Sequence, residues 1–349
     1  MTDLSISTIP MPTQPWRRSR SHRIGSVAAL VGASLISLGI VLVSGMAGLD
    51  GWALTFFFTF LAITAFRLRR SGQLKITDGL VGTVIASGAM VAFTPWLSVF
   101  WSLLTKGFQG LYFGFFVRDM RVTTLDDELN LGGAGHAIVG SLIMVFIAAV
   151  ITLPLGILSG VYLTEVRGRM SGLVRFVVQS MSGIPSIVAG LFIYTTFVTT
   201  TKSFSGFAGA LALSILMLPT VARTSEEVLK LVPDDLRAAS YALGAKQWRS
   251  SLFVVLPTVR SGLTTAAILG VARIVGETAP LLLTSLANNE FVFNPFSGPI
   301  ASLPTYVFGS LQIGSDYAVA RAWTGALILM AIVFVLFVVA RRVGGKDRR

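Results

Sequence analysis

Long apolar runs, separated by short polar or charged segments, set the pattern of this chain. A helix of about 20 apolar residues crosses about 30 Å of hydrocarbon, so a run of that length predicts a membrane span. Eight runs meet or approach this length. They cover residues 24–43, 52–66, 79–104, 134–164, 173–199, 207–222, 262–286 and 322–340. The pattern therefore predicts an all-α polytopic membrane protein with about eight transmembrane helices.

The composition fits a chain that lies in a bilayer. Hydrophobic residues occupy 53% of the 349 positions and charged residues only 13%, and the mean hydropathy is +0.76. A soluble chain of this composition would expose a large apolar area to water. The sequence has no cysteine and only two histidines, so no metal site is expected.

The net charge of +12 comes from basic residues that lie beside the apolar runs. Basic runs prefer the cytoplasmic side of a membrane. Such runs precede the first predicted span and follow the second, so residues 24–76 are predicted to form a helical hairpin with both ends inside. The same alternation places the basic tails, 1–23 and 343–349, in the cytoplasm. Nucleic-acid binding is not indicated, because the charges do not follow one groove-sized face.

The sequence lacks the short motifs that carry nucleotide or hydrolytic chemistry. It has no phosphate-binding loop of the form G-x-x-x-x-G-K-[ST], so the chain cannot power itself by that route. It also lacks the H-E-x-x-H and G-x-S-x-G motifs of hydrolases. We therefore expect a transport subunit rather than an enzyme, with no cofactor on this chain.

A long charged segment, residues 223–260, separates the sixth and seventh predicted spans. Its pattern predicts three short helices, at residues 224–231, 236–243 and 246–255. Pro233 is expected to stop the first helix. Asp234 or Asp235 is expected to cap the second, and Gly244 to end it. Loops between spans are usually a few residues long, so this segment is either a docking element or a plain solvated connector.

The second of these helices resembles a known motif. Membrane subunits of ABC importers carry an "EAA loop", patterned E-A-A-x-x-x-G-x(9)-I-x-L-P. The match consists of ASYALG at 239–244 and, after nine further residues, VVLP at 254–257. Ala238 stands where the pattern has Glu, and Ser240 replaces the second Ala. The resemblance implies a type I ABC importer (MetI-like) transmembrane domain over residues 77–342, with the N-terminal hairpin as an addition.

In that family the small helix before the Gly docks on a separate ATPase subunit, which hydrolyses the ATP. Carried over by position, the resemblance implies that the ATPase contacts are made by Asp235, Leu236, Ala238, Ala239, Ser240, Ala242, Leu243 and Gly244.

Five further strings resemble the permeases of bacterial phosphate importers. They are GGAGHAIVGSL (132–142), PLGILSGVYLTE (154–165), SGIPSIVAGLF (182–192), LPTVARTSEEVLKLVPDDLR (218–237) and ARIVGETAPLLLT (272–284). Such importers pair two kinds of permease, and the GETAPLL wording separates this chain from the PstC-like kind. The resemblance implies a PstC-like permease, a PstB-like ATPase dimer and an extracytoplasmic PstS-like phosphate-binding protein as partners. It also implies a bacterial inner-membrane location.

Two ionisable residues, Arg273 and Glu277, lie in the seventh predicted span. Residues four apart share a face of a continuous helix and can pair. Thirteen residues separate Arg273 from Arg260 at the cytoplasmic edge, which places Arg273 about 20 Å along the helix, near mid-bilayer. The pair is either a structural ion pair or part of a substrate path, in which Arg273 binds an oxyanion and Glu277 holds it when the path is empty.

The rest of the predicted path follows from its neighbours. Gly276 and Pro280 should disturb the helix locally and free backbone groups. The full set of candidate path residues is Arg273, Glu277, Gly276, Thr278 and Arg223.

Two other functions fit parts of the sequence. One is a permease for sulfate, molybdate or an organic phosphate. The other is a self-sufficient secondary transporter that uses Arg273 and Glu277 as an ion-coupled relay. The second alternative gives no role to the small-residue helix that ends at Gly244.

Overall fold

The computed structural model describes residues 20–45, 49–68 and 73–344. Within these ranges the regular secondary structure is helical, apart from one isolated bridge between Ser205 and Gly298. The helices are α1 (Arg20–Ser44), α2 (Leu49–Leu68), α3 (Gln73–Gly107), α4 (Phe113–Val117), α5 (Gly135–Val161), α6 (Ser171–Ser182), α7 (Ser186–Ile193), α8 (Thr199–Thr201), α9 (Gly206–Lys230), α10 (Asp234–Ala242), α11 (Gln247–Ser250), α12 (Leu256–Thr258), α13 (Arg260–Val275), α14 (Ala279–Thr284), α15 (Leu303–Ile313) and α16 (Asp316–Gly344). Three π-helical turns continue α5, α7 and α11, at Tyr162–Val166, Tyr194–Val198 and Ser251–Val255. The predicted all-α class is confirmed.

The chain divides into two compact units, Met1–Trp101 and Ser102–Arg349. In the first unit α1 packs against α2, and the buried side of α1 is lined mainly by small residues spaced four apart, Ala29, Ala33 and Ser37. Small side chains allow two helices to approach closely. Most of the two predicted basic tails lies outside the described residues.

Apolar helices occupy the predicted membrane spans. Five described helices are long and apolar enough to cross a membrane, or seven when each of two bent pairs counts as one span. The second predicted span corresponds to a shorter apolar helix, Gly51–Phe66. The predicted number of eight is therefore reached only if this short helix also crosses.

Two of the predicted spans contain breaks. In the fifth, the chain bends by 107° between α6 and the Ser186–Thr201 segment, because Pro185, the N-cap residue of α7, disfavours helical backbone at Ile184. The seventh span ends at Val275, and a three-residue break precedes α14. A further bend of 76° separates Gln247–Thr258 from Arg260–Val275. The sequence predicted a cytoplasmic helix over residues 246–255 and a span over residues 262–286, and the structure places the sharp turn between them, at Val259.

The core of the second unit is built around α9. Close approach to α9 is possible because the neighbouring helices place glycines against it. A Cβ added to Gly156 of α5 would lie 2.7 Å from Val221 Cγ1, and one added to Gly270 of α13 would lie 2.5 Å from Val221 Cγ2. Gly160 packs in the same way on Ser225, because a Cβ added to Gly160 would lie 2.9 Å from Ser225 Cβ. Gly156 and Gly160, four residues apart, therefore let α5 pack closely on α9.

Candidate functional site

Arg273 lies in the last turn of α13, with its side chain exposed on the surface of the unit. Its Nη1 donates a hydrogen bond to Thr220 Oγ1 of α9 at 3.0 Å. The contact exists because Gly270, one turn earlier, lets α13 approach α9 closely. Arg223 follows Thr220 by one turn of α9 and is also exposed. The structure therefore places two of the predicted path residues on adjacent helices.

Glu277 is not the partner of Arg273. Among the described residues no ion pair joins them, and α13 ends at Val275 before Glu277 is reached. The backbone N–H of Glu277 instead donates to the carbonyl of Ile274 at 3.2 Å. The prediction that the two side chains share one face of a helix is wrong, because the helix stops at Gly276.

The break between α13 and α14 forms an open junction. Gly276 is exposed, and a Cβ added there would meet nothing within 4 Å. Thr278 precedes the first residue of α14 and is half-buried, as is Glu277. The predicted disturbance of the helix by Gly276 and Pro280 is confirmed. The far side of the junction is fixed, because a Cβ on Gly190 of α7 would lie 2.6 Å from Pro280 Cα.

This geometry leaves Arg273 with unused hydrogen-bonding capacity. A guanidinium group has five N–H donors arranged as a planar fork. The described residues provide one acceptor, the hydroxyl of Thr220. The remaining donors and the fixed positive charge suit a tetrahedral oxyanion that approaches from the exposed side.

A second site is formed by α10, which matches the predicted small-residue helix. Pro233 occupies the N-cap position with no side-chain cap, and Asp234 and Asp235 lie in the first turn. The predicted capping role of either aspartate is therefore wrong, although both carboxylates still suit the positive end of the helix dipole.

The end of α10 is a Schellman motif. Gly244 has a φ of +82°, its N–H donates to the Tyr241 carbonyl at 2.9 Å, and the N–H of Ala245 donates to the Ser240 carbonyl at 3.2 Å. A left-handed residue at this position is usually Gly, because a Cβ would strain it. The predicted end of the helix at Gly244 is confirmed.

The outer face of α10 is a smooth, exposed surface. Leu243 is 89% exposed, whereas Ser240 is only 7% exposed and faces the protein. The other predicted contact residues are all exposed: Asp235, Leu236, Ala238, Ala239, Ala242 and Gly244. The structure therefore brings together seven of the eight predicted docking residues on one accessible surface.

A buried ion pair that holds α10 was not predicted. Arg237 of α10 contacts Glu165, which lies in the π turn at the end of α5, with Nη2 at 2.8 Å from Oε1. The two side chains are 13% and 2% exposed. The hydrogen bonds that Arg237 donates to the Glu165 carboxylate raise the pKa of Arg237, so the guanidinium stays charged. The available signal in the sequence was a carboxylate at the end of an apolar run, in the string PLGILSGVYLTE.

At the other end of α5, a second arginine has an unexpected role. Arg321 of α16 is fully buried. It donates to the carbonyls of Leu125, Asp127, Glu128 and Leu131 at 2.7–3.0 Å. The sequence assigned Arg321 no role, whereas in the structure its side chain clamps the loop before α5.

Comparison with known proteins identifies the class. Residues 152–346 match the family described as "Binding-protein-dependent transport system inner membrane component". The fold is similar to the MetNI methionine ABC transporter in an inward-facing conformation, with a TM-score of 0.51 and 21% identity over 60% of this chain and 94% of that chain. The chain belongs to this family of ABC importer permeases and is a multi-pass membrane protein.

Two relatives place the chain more closely within the family. The phosphate transport system permease protein PstA of Yersinia pestis is 39% identical over 272 residues, which are 77% of this chain and 90% of that protein. PstA 1 of Mycobacterium tuberculosis (strain CDC 1551 / Oshkosh) is 37% identical over 262 residues, which are 74% and 86% of the two chains. The resemblance to the PstA branch of the family is confirmed.

Proposed function

We propose that this chain is a membrane permease subunit of an ATP-driven phosphate importer and forms half of its translocation path. The observation that carries the proposal is the exposed guanidinium of Arg273, with unused donors, at a break in an otherwise apolar span. A guanidinium fork matches the oxygens of phosphate in geometry and charge. The names of the PstA relatives supply the substrate.

The path is assigned around the junction between α13 and α14. Arg273 binds the anion, and Arg223 offers a second positive charge on the adjacent helix. Gly276 leaves room for the anion, while Glu277 and Thr278 line the same junction. Because the described part of the chain holds Arg273 only through an uncharged hydroxyl, an entering anion does not have to displace a carboxylate there.

The second part of the proposal concerns α10, hereafter the coupling helix. Its exposed small and apolar face suits a cleft on a separate ATPase. The proposed partners are a PstC-like second permease, a PstB-like ATPase dimer and an extracytoplasmic PstS-like phosphate-binding protein. ATP is bound by the ATPase partner, and the complex is placed in the bacterial plasma membrane.

Other oxyanions are the nearest alternative, because a guanidinium group does not by itself separate phosphate from sulfate or molybdate. A secondary transporter is disfavoured by two observations. Such a relay would need Arg273 and Glu277 to exchange partners, and the described residues hold no contact between the two side chains. It would also leave the exposed coupling helix without a role.

Affinity purification from native membranes tests the assembly, and labelled uptake tests the substrate. We expect an ATPase and a second permease to co-purify with this chain. Phosphate uptake by the intact complex should persist in excess sulfate or molybdate and fall with excess unlabelled phosphate. Purification of this chain alone with ATP-independent uptake would favour the secondary transporter.

The docking assignment is tested by Gly244→Val. A left-handed backbone costs about 1–2 kcal/mol with a Cβ present, and a β-branched side chain misdirects the segment that follows. We expect the variant chain to insert but to lose ATPase association. Gly172→Val is the matched control, because a Cβ there also meets open space but φ is not positive. Wild-type ATPase association in Gly244→Val would contradict the assignment.

The proposed orientation places both termini and the coupling helix in the cytoplasm. Since the chain has no cysteine, single cysteines report their side of the membrane without background. Lys75→Cys should react only from the cytoplasm and Asp126→Cys only from outside. Outside labelling at position 75 would mean that the short second helix does not cross.

A further inference from the structure

We infer that Arg237 is a positioning residue that fastens the coupling helix to the ends of two membrane helices, so that movement at the ATPase surface is passed into the membrane. The inference rests on the proposed function, because it assigns to Arg237 the step between docking and transport. It concerns a residue outside the docking face.

The contacts of Arg237 join three elements. Its Nε lies 3.2 Å from both carboxylate oxygens of Glu165, at the end of α5. Its Nη2 donates to the carbonyl of Leu229 at 3.0 Å, and its Nη1 donates to that of Val232 at 2.5 Å. These carbonyls lie at and just beyond the end of α9. The guanidinium therefore links α5 and α9 to the coupling helix that carries it.

An arginine is the side chain that can make this joint. The last carbonyls of a helix have no partner within the helix, and an arginine can bind them while it also holds a carboxylate with its remaining donors. A lysine ammonium is a compact point charge that cannot span both sets of acceptors with a planar fork. The joint is also well shielded, because Glu165 is 2% exposed and solvent screens such a pair weakly.

Glu165 also holds the chain beyond the coupling helix. Gln247, at the start of α11, donates through Nε2 to the backbone carbonyl of Glu165 at 2.6 Å. The segments on both sides of Gly244 thus return to one residue at the end of α5. The coupling helix is fixed at two points rather than one.

From Glu165 the contacts continue toward the substrate path. Gly156 and Gly160 of α5 pack directly on α9, next to Val221 and Ser225. Thr220, the neighbour of Val221, holds Arg273. A displacement of the coupling helix would therefore move rigid, closely packed helices that end at the anion-binding side chain.

The test uses the full importer, co-expressed with its second permease, ATPase and binding protein, and measures phosphate transported per ATP hydrolysed. In Arg237→Lys the ATPase should remain bound, because the docking face is intact. The transport-to-hydrolysis ratio should fall about fivefold or more, which is the range of ordinary coupling effects between sites. Asp234→Asn is the matched control, since Asp234 is a 93% exposed partner of the same guanidinium, and its ratio should stay at the wild-type value.

A covalent rescue separates positioning from folding. Glu165→Cys with Arg237→Cys introduces the only two thiols of the chain. Untreated, the double variant should be uncoupled. A short bifunctional thiol reagent should restore the ratio, because it rejoins α5 to the coupling helix without restoring any charge.

Each possible result of these experiments either supports or overturns the positioning role of Arg237. A wild-type ratio in Arg237→Lys, loss of the ATPase from that variant, or failure of the cross-link to restore transport would overturn the role of Arg237. Those results leave the proposed function standing if the wild-type complex transports phosphate. Absence of an ATPase from the wild-type complex would overturn the proposed function, and the inference with it.

Discussion

Two arginines in membrane helices of this chain have opposite surroundings. Arg321 is fully buried and donates to four backbone carbonyls. Arg273 is exposed, and within the described ranges its side chain donates one hydrogen bond, to the hydroxyl of Thr220. A buried arginine whose donors are mostly used holds a fold together, whereas an exposed arginine with unused donors is available to a ligand. Position in an apolar run is therefore a weaker guide to function than the count of acceptors already engaged.

The largest effect is expected from Arg273→Gln. Removing one member of a hydrogen-bonded charge pair costs about 2–5 kcal/mol, which at 1.4 kcal/mol per tenfold is a loss of about 30-fold or more in phosphate uptake. Complex yield should stay near wild type, because the side chain is exposed. Arg273→Lys should recover little, since it lacks the bidentate fork.

The comparison for this prediction is Glu277→Gln, alone and with Arg273→Gln. The absence of an ion pair between the two residues in the described structure means that the single Glu277 change should leave folding intact. The measurement is the uptake of labelled phosphate, compared with the yield of assembled complex, for both single variants and the double variant. Uptake restored in the double variant would remove Arg273 from the path and return it to helix packing.

Arg321→Gln should show the reverse pattern. Hydrogen bonds to charged groups contribute about 1.5–3 kcal/mol each, and four are lost together, so stability should fall by at least about 3 kcal/mol. We expect a low yield of folded chain in detergent and a lower thermal unfolding temperature of the chain that is recovered. Transport per assembled complex should be close to wild type. Arg118→Gln, an exposed arginine bound to a single carbonyl, is the control and should have little effect.

Thr220→Val gives the smallest and most informative change. It removes, at nearly constant volume, the one acceptor that the described residues offer to Arg273. The loss of one hydrogen bond is worth about 1 kcal/mol, so apparent affinity for phosphate should change about fivefold or less. A loss as large as that of Arg273→Gln would mean that Thr220 itself contacts the anion.

Apolar length allowed the membrane helices to be located, because burial in hydrocarbon depends on residues that are adjacent in sequence. The end of α10 was also predictable, since the left-handed position after a helix is usually Gly and Gly244 provides it. The breaks were harder. Gly276 was recognised as a disturbance, but its effect on Glu277 depended on whether the helix resumed in register, which neighbouring helices decide.

The ion pair between Glu165 and Arg237 could not be predicted from the sequence. Glu165 and Arg237 are 72 positions apart, and nothing in the spacing of either residue names the other. Their contact depends on the way α5 packs along α9 through Gly156 and Gly160. Such partners become visible only when the helices are assembled.

The clamp at Arg321 also sets an order of events during synthesis. The carbonyls it holds, from Leu125 to Leu131, precede it by 190–196 positions. Throughout translation of the intervening helices, that loop lacks its main binding group. Arg321 can hold this loop only after α16 has been synthesised and has entered the membrane. A chain truncated before position 321 would therefore leave the loop without these hydrogen bonds and more open to proteolysis.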